Sequence, residues 1–345
     1  MELGDRKLKI LQAIVDDYIL TAVPVGSRTL SKKYLTGISS ATIRNEMSDL
    51  EELGYLDQPH VSAGRVPSPK AYRLYVDQLL RSGRITADSE AAVRGHFAGR
   101  MRQMEDVIDH AAQVLSSLTR YTAVVLPPTG VQPRIRTLQL VPVSANSALV
   151  VVVTDSGVVR DTVIRVSEQL DGDTLYTISK ALTAELAGKT LAEAAEHLPA
   201  MSARLREGEQ LLHGLDAFLQ ETSEKAGHGH VAIGGTSNML SYPEYNDMEK
   251  ARAFLALMET RDKLASIIAQ QGTMAFTVRI GPETGVPEMA DCSIVTATYS
   301  TGSGQGTIGV IGPTRMQYSR VLSVLGTMGH QLSELFGEGS DQQQP

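Results

Sequence analysis

The chain has no tryptophan, 5 phenylalanines and a single cysteine in 345 residues. One cysteine, Cys292, excludes an intrachain disulfide framework and fits a reducing compartment, so the expected location is the cytoplasm. There is no apolar run of about 18 residues and no basic-then-apolar start, which predicts neither a membrane span nor a signal peptide. An excess of positive charge is also missing: 32 Lys and Arg stand against 39 Asp and Glu, a net charge of −7. This excludes a uniformly basic nucleic-acid coat but not a local patch. With 42% hydrophobic residues the length suffices for two or three domains with cores of their own. Those cores are poor in aromatics, at 5% of the chain, and draw on 12 Met and 30 Gly, a composition that specifies packing only modestly.

What charge there is falls unevenly. Residues 1–84 carry 12 Lys and Arg against 10 Asp and Glu, the remainder 20 against 29. From Val61 to Val76 three cations, Arg65, Lys70 and Arg73, occur without an anion. The same region has helical periodicity. Leu8, Leu11, Ile14, Val15, Tyr18 and Ile19 predict an amphipathic helix from Asp5 that ends near Pro24 and Gly26. Ser27 suits the cap of a short helix from Arg28 to Leu35, and Thr36-Gly37-Ile38 is a tight turn. A third helix begins at Ser39 or Ser40, with Ile43, Met47, Leu50 and Leu53 as its inward stripe. Ala41, Asn45, Ser48 and Glu52 fall opposite that stripe, with Arg44 on its flank. Small residues, an Arg and an Asn near the N-terminus, with acids held back to the last turn, suit a helix that enters the major groove.

A hairpin signal follows. Gly54 fits the C′ position, Tyr55–Gln58 a strand, Ser62-Ala63-Gly64-Arg65 a turn and Val66 the return. Three helices and a two-stranded wing describe a winged helix-turn-helix over residues 1–84. Candidate DNA contacts are Ser40, Ala41, Thr42, Arg44, Asn45 and Ser48 on the helix, and His60, Gly64 and Arg65 at the wing. Gly64 would permit close approach and Arg65 would meet a phosphate or the minor groove. Ser68 and Pro69 read as N-cap and first residue of a further helix from which Lys70 and Arg73 face phosphates.

SSATIRNEMSDLEELGYL followed by PHVSAGRVPSPKAYRLYVD resembles the DNA-binding segment of the HrcA family, the bacterial heat-inducible transcription repressors. GGTSNMLSYPEYNDMEKARAFLALME, from Gly234 to Glu259, and SIVTATYSTGSGQGTIGVIGPTRMQYSRV, from Ser293 to Val321, resemble two further segments of the family in the same order. Position 71 is Ala where the family suggests Gly, and position 69 is Pro rather than an acid. The resemblance implies a homodimer on double-stranded DNA, bound at an inverted-repeat operator upstream of chaperone operons. It implies further that the chaperonin GroEL maintains the active repressor, and that heat inactivates it.

The remaining chain predicts an α+β, multidomain arrangement. Val93, Phe97, Met101, Met104, Ile108, Ala111, Leu115 and Leu118 suggest one long helix from Asp88 to about Leu118. Strands are expected at Tyr121–Leu126, Arg136–Pro142, Ala148–Thr154 and Val158–Val166, and again at Thr273–Arg279, Cys292–Tyr299 and Gly306–Val310. Helices are expected near Leu175–Ala187, Ser202–Lys225 and Glu249–Gln270, with a last one at Tyr318–Phe336. Strands that resume after helices predict an insertion. The resemblance names the parts: a GAF-like domain at 85–167 and 272–337, interrupted at 168–271 by a mostly helical inserted dimerisation domain. Leu211, Leu215, Phe218 and Leu219 suit either a subunit contact or the insertion's own core. Residues 338–345 read as a disordered tail.

Enzymatic readings fare poorly, and no catalytic residue, cofactor or metal is expected. Thr301-Gly302-Ser303-Gly304-Gln305-Gly306 is glycine-rich but lacks the Lys-Ser/Thr of a P-loop and leads into a strand, so it reads as a hairpin. His228-Gly229-His230 has no Cys or acid close by to complete a metal site. Asp155, Asp161 and Asp291 show no partner for acid–base work, and Arg315 suits a tie between domains. The alternative function is a winged-helix regulator whose GAF-like domain senses a small ligand.

Overall fold

The computed structural model describes residues 3–60, 63–82, 90–97, 104–129, 134–155, 159–167, 170–202, 209–227, 231–269, 276–301 and 304–338. Helix α1 (Asp5–Thr21) buries Ile10, Leu11, Ile14, Val15 and Ile19 and ends at Ala22, whose left-handed φ of 55° lets its N–H reach the Tyr18 carbonyl. Helix α2 (Ser27–Lys33) starts at Ser27 itself, capped by Gly26 without a side-chain bond, so Ser27 is not the cap. Helix α3 (Ser40–Glu52) has Ser39 as N-cap, its hydroxyl accepting the Thr42 N–H at 3.1 Å. Ile43, Met47 and Leu50 are buried as expected, but Leu53 lies past the helix end and is 37% exposed.

Gly54 takes a φ of 75° and turns the chain into β1 (Leu56–Asp57), which pairs antiparallel with β2 (Val66–Pro67). Val25 adds a third rung against Arg65. Helix α4 (Pro69–Ser82) follows, its Ser68 hydroxyl accepting from the Ala71 N–H and donating to the Gly54 carbonyl.

The single long helix expected next is two. Helix α5 (Glu90–His96) and α6 (Met104–Thr119) fold back on each other, since Phe97 packs edge-on to His110 at 5.2 Å. Thirteen further residues of continuous helix would hold those rings about 20 Å apart, and Gly95 and Gly99 in this stretch weaken the helix.

Strand β3 (Thr122–Thr129) begins the central sheet. The chain then leaves for β4 (Ile135–Ser144), β5 (Ser147–Thr154) and β6 (Val159–Arg165), a separate three-stranded sheet, and for α7 (Gly172–Leu186), α8 (Leu191–Ser202) and α9 (Glu209–Gly227). It returns with β7 (Ala232–Gly234), α10 (Met248–Glu259), α11 (Arg261–Ile268), β8 (Phe276–Ile280), β9 (Cys292–Thr301), β10 (Gly304–Pro313) and α12 (Tyr318–Glu338). The central sheet has the order β7-β3-β10-β9-β8, all neighbours antiparallel.

Three apolar clusters show which segments belong together. Leu138, Leu140, Val150, Val152 and Ile164 of β4–β6 pack with Leu175, Leu182, Leu198 and Leu215 of α7–α9. Phe254, Leu257 and Leu264 of α10 and α11 pack instead with Val124, Ile294 and Ile311 of the central sheet. The expected boundaries at 167/168 and 271/272 are therefore corrected: the separately packed insertion spans β4 to α9. Strands β4–β6 resemble central strands in composition, and β7 is too short to leave a strand pattern, so the sequence misplaced both ends. Leu211, Leu215, Phe218 and Leu219 are buried in the insertion's own core. The third cluster is continuous from Ile10, Ile43 and Leu50 of the N-terminal unit through Tyr72 and Val76 to Tyr318, Val321 and Leu325 of α12.

Several expected features lie outside the described residues: Ser62 in the ribbon turn, Met101, the Ser156-Gly157 turn, His228-Gly229-His230, and the tail from residue 339. Helix α12 includes Gly337 and Glu338.

Candidate nucleic-acid interface

Helix α3 is held from its buried side and bare on the other. Below it Ile43, Met47 and Leu50 enter the core. On its flank the Lys7 ammonium of α1 pairs with Glu46 at 2.7 Å and Asp49 at 2.9 Å, and Arg6 reaches Glu46 at 3.6 Å. Bonds to Asp49 and Glu46 raise the Lys7 ammonium above its ordinary value. Helix α2 is fixed to α1 through buried Asp17, which accepts from Lys33 at 2.6 Å and from the Tyr34 hydroxyl at 2.8 Å. Burial alone would raise the Asp17 carboxyl, but those two donors hold it below its usual range, and the Lys33 ammonium is pushed up to about 12 chiefly by its bond to Asp17. These anchors were not read from the sequence. A carboxylate at Asp17, between apolar Ile14 and Ile19 on α1, was the available signal.

The opposite face presents Ser40, Ala41, Arg44, Asn45 and Ser48, all exposed, with Thr42 half-buried beside the cap. Among the described residues the side chains of Arg44 and Asn45 make no hydrogen bond or ion pair. Their donors are free, the neighbouring side chains are short, and Glu51 and Glu52 come only at the far end. The helix N-terminus, with its unpaired N–H groups, favours a phosphate. His60 is exposed at the ribbon, its carbonyl accepting from the Ala63 N–H.

Four expected contacts are placed elsewhere and are corrected. Gly64 does permit a close approach, but to Val25: a Cβ there would overlap the Val25 carbonyl. Arg65 exchanges both backbone bonds with Val25, and its guanidinium pairs with Glu51 at 2.6 Å, leaving its side chain 18% exposed. Lys70 donates to the Leu53 carbonyl at 2.8 Å and covers the Tyr55 ring at 4.4 Å, so it closes the C-terminus of α3. Arg73 turns to the central sheet, donating to the Val278 carbonyl at 2.6 Å and pairing with Glu283. Its bond to Glu283 raises the Arg73 guanidinium. Burial would raise the Glu283 carboxyl, but Arg73 and the Ile280 N–H hold it lowered.

The glycine-rich stretch is a hairpin, with Thr301 opposite Gly304. Gly306 is small because a Cβ would overlap the ring of Tyr299, whose hydroxyl donates to the Leu126 carbonyl at 2.9 Å. Arg315 is buried and forms a fork to both carboxylate oxygens of Glu244 while Nη1 donates to the Ile19 carbonyl at 3.4 Å, a tie between units as expected. Asp155 accepts from the Arg134 N–H, and Asp291 pairs with Lys250. Among the described residues no group of His, Cys, Asp and Glu is arranged to hold a metal, and no helix is long and apolar enough to cross a membrane.

A surface that sequence reasoning missed lies on the insertion. One face of β4–β6 is buried under α7–α9; the other carries Val141, Leu149 and Val163 side by side across the strands, continued by Val151, Val153 and Val159. Val163 is 58% exposed and Val143, near the end of β4, 59%. Valines at both parities of these strands were the signal, because a sheet with one wet face alternates with polar residues.

Residues 105–322 match the family model described as the HrcA protein C terminal domain. The heat-inducible transcription repressor HrcA of Clostridium tetani is 41% identical over 97% of this chain and 96% of its own length. The chain belongs to the HrcA family. The HrcA of Pelotomaculum thermopropionicum is 42% identical with 97% of each chain covered, and that of Symbiobacterium thermophilum 40% identical over 96% of this chain and 98% of its own. Negative regulation of heat-shock transcription is the function by which these HrcA relatives are named. A crystal structure of a hypothetical protein superposes with a TM-score of 0.72 at 27% identity, covering 98% of this chain and 99% of the other.

Proposed function

We propose that the chain represses heat-shock transcription as a homodimer whose N-terminal winged helices read an inverted-repeat operator in double-stranded DNA. The observation that carries this is the free outward face of α3: Arg44 and Asn45 without partners among the described residues, flanked by Ser40, Ala41 and Ser48. Arg suits the O6 and N7 of guanine and Asn the N6 and N7 of adenine, and the short neighbours allow the helix to approach base edges. Ser39 and Thr42 at the helix start face a backbone phosphate, and His60 extends the contact at the ribbon.

The bare valine face of the insertion supplies the second copy. An apolar sheet face of this kind is unstable against water unless covered, and a two-fold axis through it would pair it with itself. Two α3 helices related by that axis demand a palindromic site. The central domain then corresponds to the GAF-like domain of the family and the β4–α9 unit to its inserted dimerisation domain. The same membership brings the GroEL chaperonin into the reading, as the partner that maintains the active repressor. No catalytic residue has a place in it.

Footprinting on a chaperone-operon promoter, alongside sedimentation of the protein, tests this. The expected result is one protected inverted repeat and a dimer that Val163→Asp dissociates, with binding that weakens steeply as salt rises. Protection of a site without two-fold symmetry, or a wild-type monomer at saturating DNA, would overturn it.

A further inference from the structure

Two arginines attach the N-terminal unit to the central domain at separate points. Arg73 of α4 reaches the edge strand β8 through the Val278 carbonyl and the Glu283 carboxylate, which is itself held by the Ile280 N–H at 2.9 Å. Arg315, past β10, holds the Ile19 carbonyl near the end of α1 and the carboxylate of Glu244. Between them Tyr72 meets Tyr318 at 6.1 Å, and the Tyr318 hydroxyl is fixed by Ser293 at 2.7 Å and the Thr314 carbonyl at 2.6 Å. One apolar cluster runs from the inward stripe of α3 through this seam into α12. A single attachment would leave a hinge. Two polar attachments leave only the line through them as an axis, and the shared apolar core between them opposes rotation about that line.

We propose that Arg73 and Arg315 make the dimer a ruler, fixing the distance and angle between its two α3 helices and so selecting the spacing of operator half-sites. The inference rests on the dimeric reading above. Binding of the second half-site is intramolecular, and its effective concentration is greatest when the connection holds the second helix where the DNA places its groove. Each added base pair moves the second half-site along the DNA and around it by about a tenth of a turn. A rigid dimer therefore loses its second contact after a change of one or two base pairs. A unit without these two attachments would follow the shift and give up affinity at the natural spacing.

The test uses the full chain and the footprinted inverted repeat, with its spacer lengthened or shortened by about two base pairs, plus a single half-site as control. Anisotropy titrations compare wild type, Arg73→Glu, Glu283→Arg and the double exchange. Wild type should prefer the natural spacing about 100-fold, and each single variant should reduce this to less than about 10-fold by weakening the natural site. Single half-site affinity should stay within about twofold, and the double exchange should restore part of the preference, because it re-forms the ion pair but not the bonds to the Val278 carbonyl and the Ile280 N–H. A variant that merely unfolds would lose the half-site as well, which the control detects. An unchanged spacing profile in Arg73→Glu overturns the ruler, as does tighter binding to the natural operator, which would mark the docked unit as a silenced one. The titrations are run with GroEL present, and failure of the wild type on both the repeat and the half-site then overturns the DNA-reading proposal itself, a distinguishable outcome.

Discussion

In α3 the guanidinium of Arg44 has no partner among the described residues; in α4 that of Arg73 meets the Val278 carbonyl, Glu283 and Asp77. Both helices are amphipathic and both carry an arginine beside small or polar residues. The difference lies in what surrounds them. Helix α3 has one buried side, and none of the described residues covers the other. Helix α4 lies between the core of its own unit and the edge of β8, so its polar side has carbonyls and carboxylates within reach. An edge strand presents unpaired backbone acceptors, and a buried acceptor needs a donor. Arg73 supplies one. Cation content alone thus separates nothing: a free donor next to an open face recognises, and a satisfied donor attaches.

The sharpest break of that contrast is a pair of alanines. Arg44→Ala should weaken operator binding by about 1–3 kcal/mol and relax selectivity at one base position, because a bidentate contact to a base edge is lost. The fold should be unaffected, since the side chain holds nothing internal. Gel-shift titrations against operators varied one base at a time read both effects. Wild-type affinity and unaltered base selectivity in Arg44→Ala would remove α3 from the recognition surface.

Arg65 sharpens the contrast from the other side. It stands where a wing would touch a phosphate, yet its Nη2 pairs with Glu51, with side chains 18% and 33% exposed. Arg65→Ala should therefore cost about 1 kcal/mol of folding stability, as a half-buried ion pair at the ribbon is lost. The slope of log affinity against log salt should not change. Were Arg65 a phosphate contact, that slope would fall by about one. A melting curve and a salt titration on the same variant separate the two roles.

The contrast also marks what could be read from the sequence. The order of elements in the N-terminal unit was legible because local signals fix it: the Ser39 cap, the apolar stripe of α3, Gly54 with its φ of 75°, and Ser68-Pro69. The outward face of α3 was legible for the same reason, since helical periodicity decides which side Arg44 and Asn45 take. Gly64, Arg65, Lys70 and Arg73 were misplaced because their partners are distant. Glu283 is 210 residues from Arg73, and no local pattern encodes such a pairing. The boundaries of the insertion failed similarly, for sheet membership depends on which strands meet. Leu53 was assigned to the core on spacing alone, but the helix ends one residue before it.

The smallest effect concerns two tyrosines that face each other across the seam. The Tyr318 hydroxyl is bonded to Ser293 and Thr314, whereas that of Tyr72 is buried with no partner among the described residues. Burial pushes the Tyr72 phenol well above its ordinary range, as expected of a group withdrawn from water, and keeps it neutral. A buried hydroxyl without a partner costs about 1–3 kcal/mol, while a satisfied one contributes about 1 kcal/mol. Tyr72→Phe should accordingly be neutral or stabilising by up to about 1 kcal/mol, and Tyr318→Phe should destabilise by a similar amount. Both substitutions retain the ring contact at 6.1 Å, so urea midpoints compare the hydroxyls alone. Equal losses from the two would mean that Tyr72 is satisfied after all. A gain at Tyr72 would show that the seam carries an unsatisfied hydroxyl and was left less than fully stable.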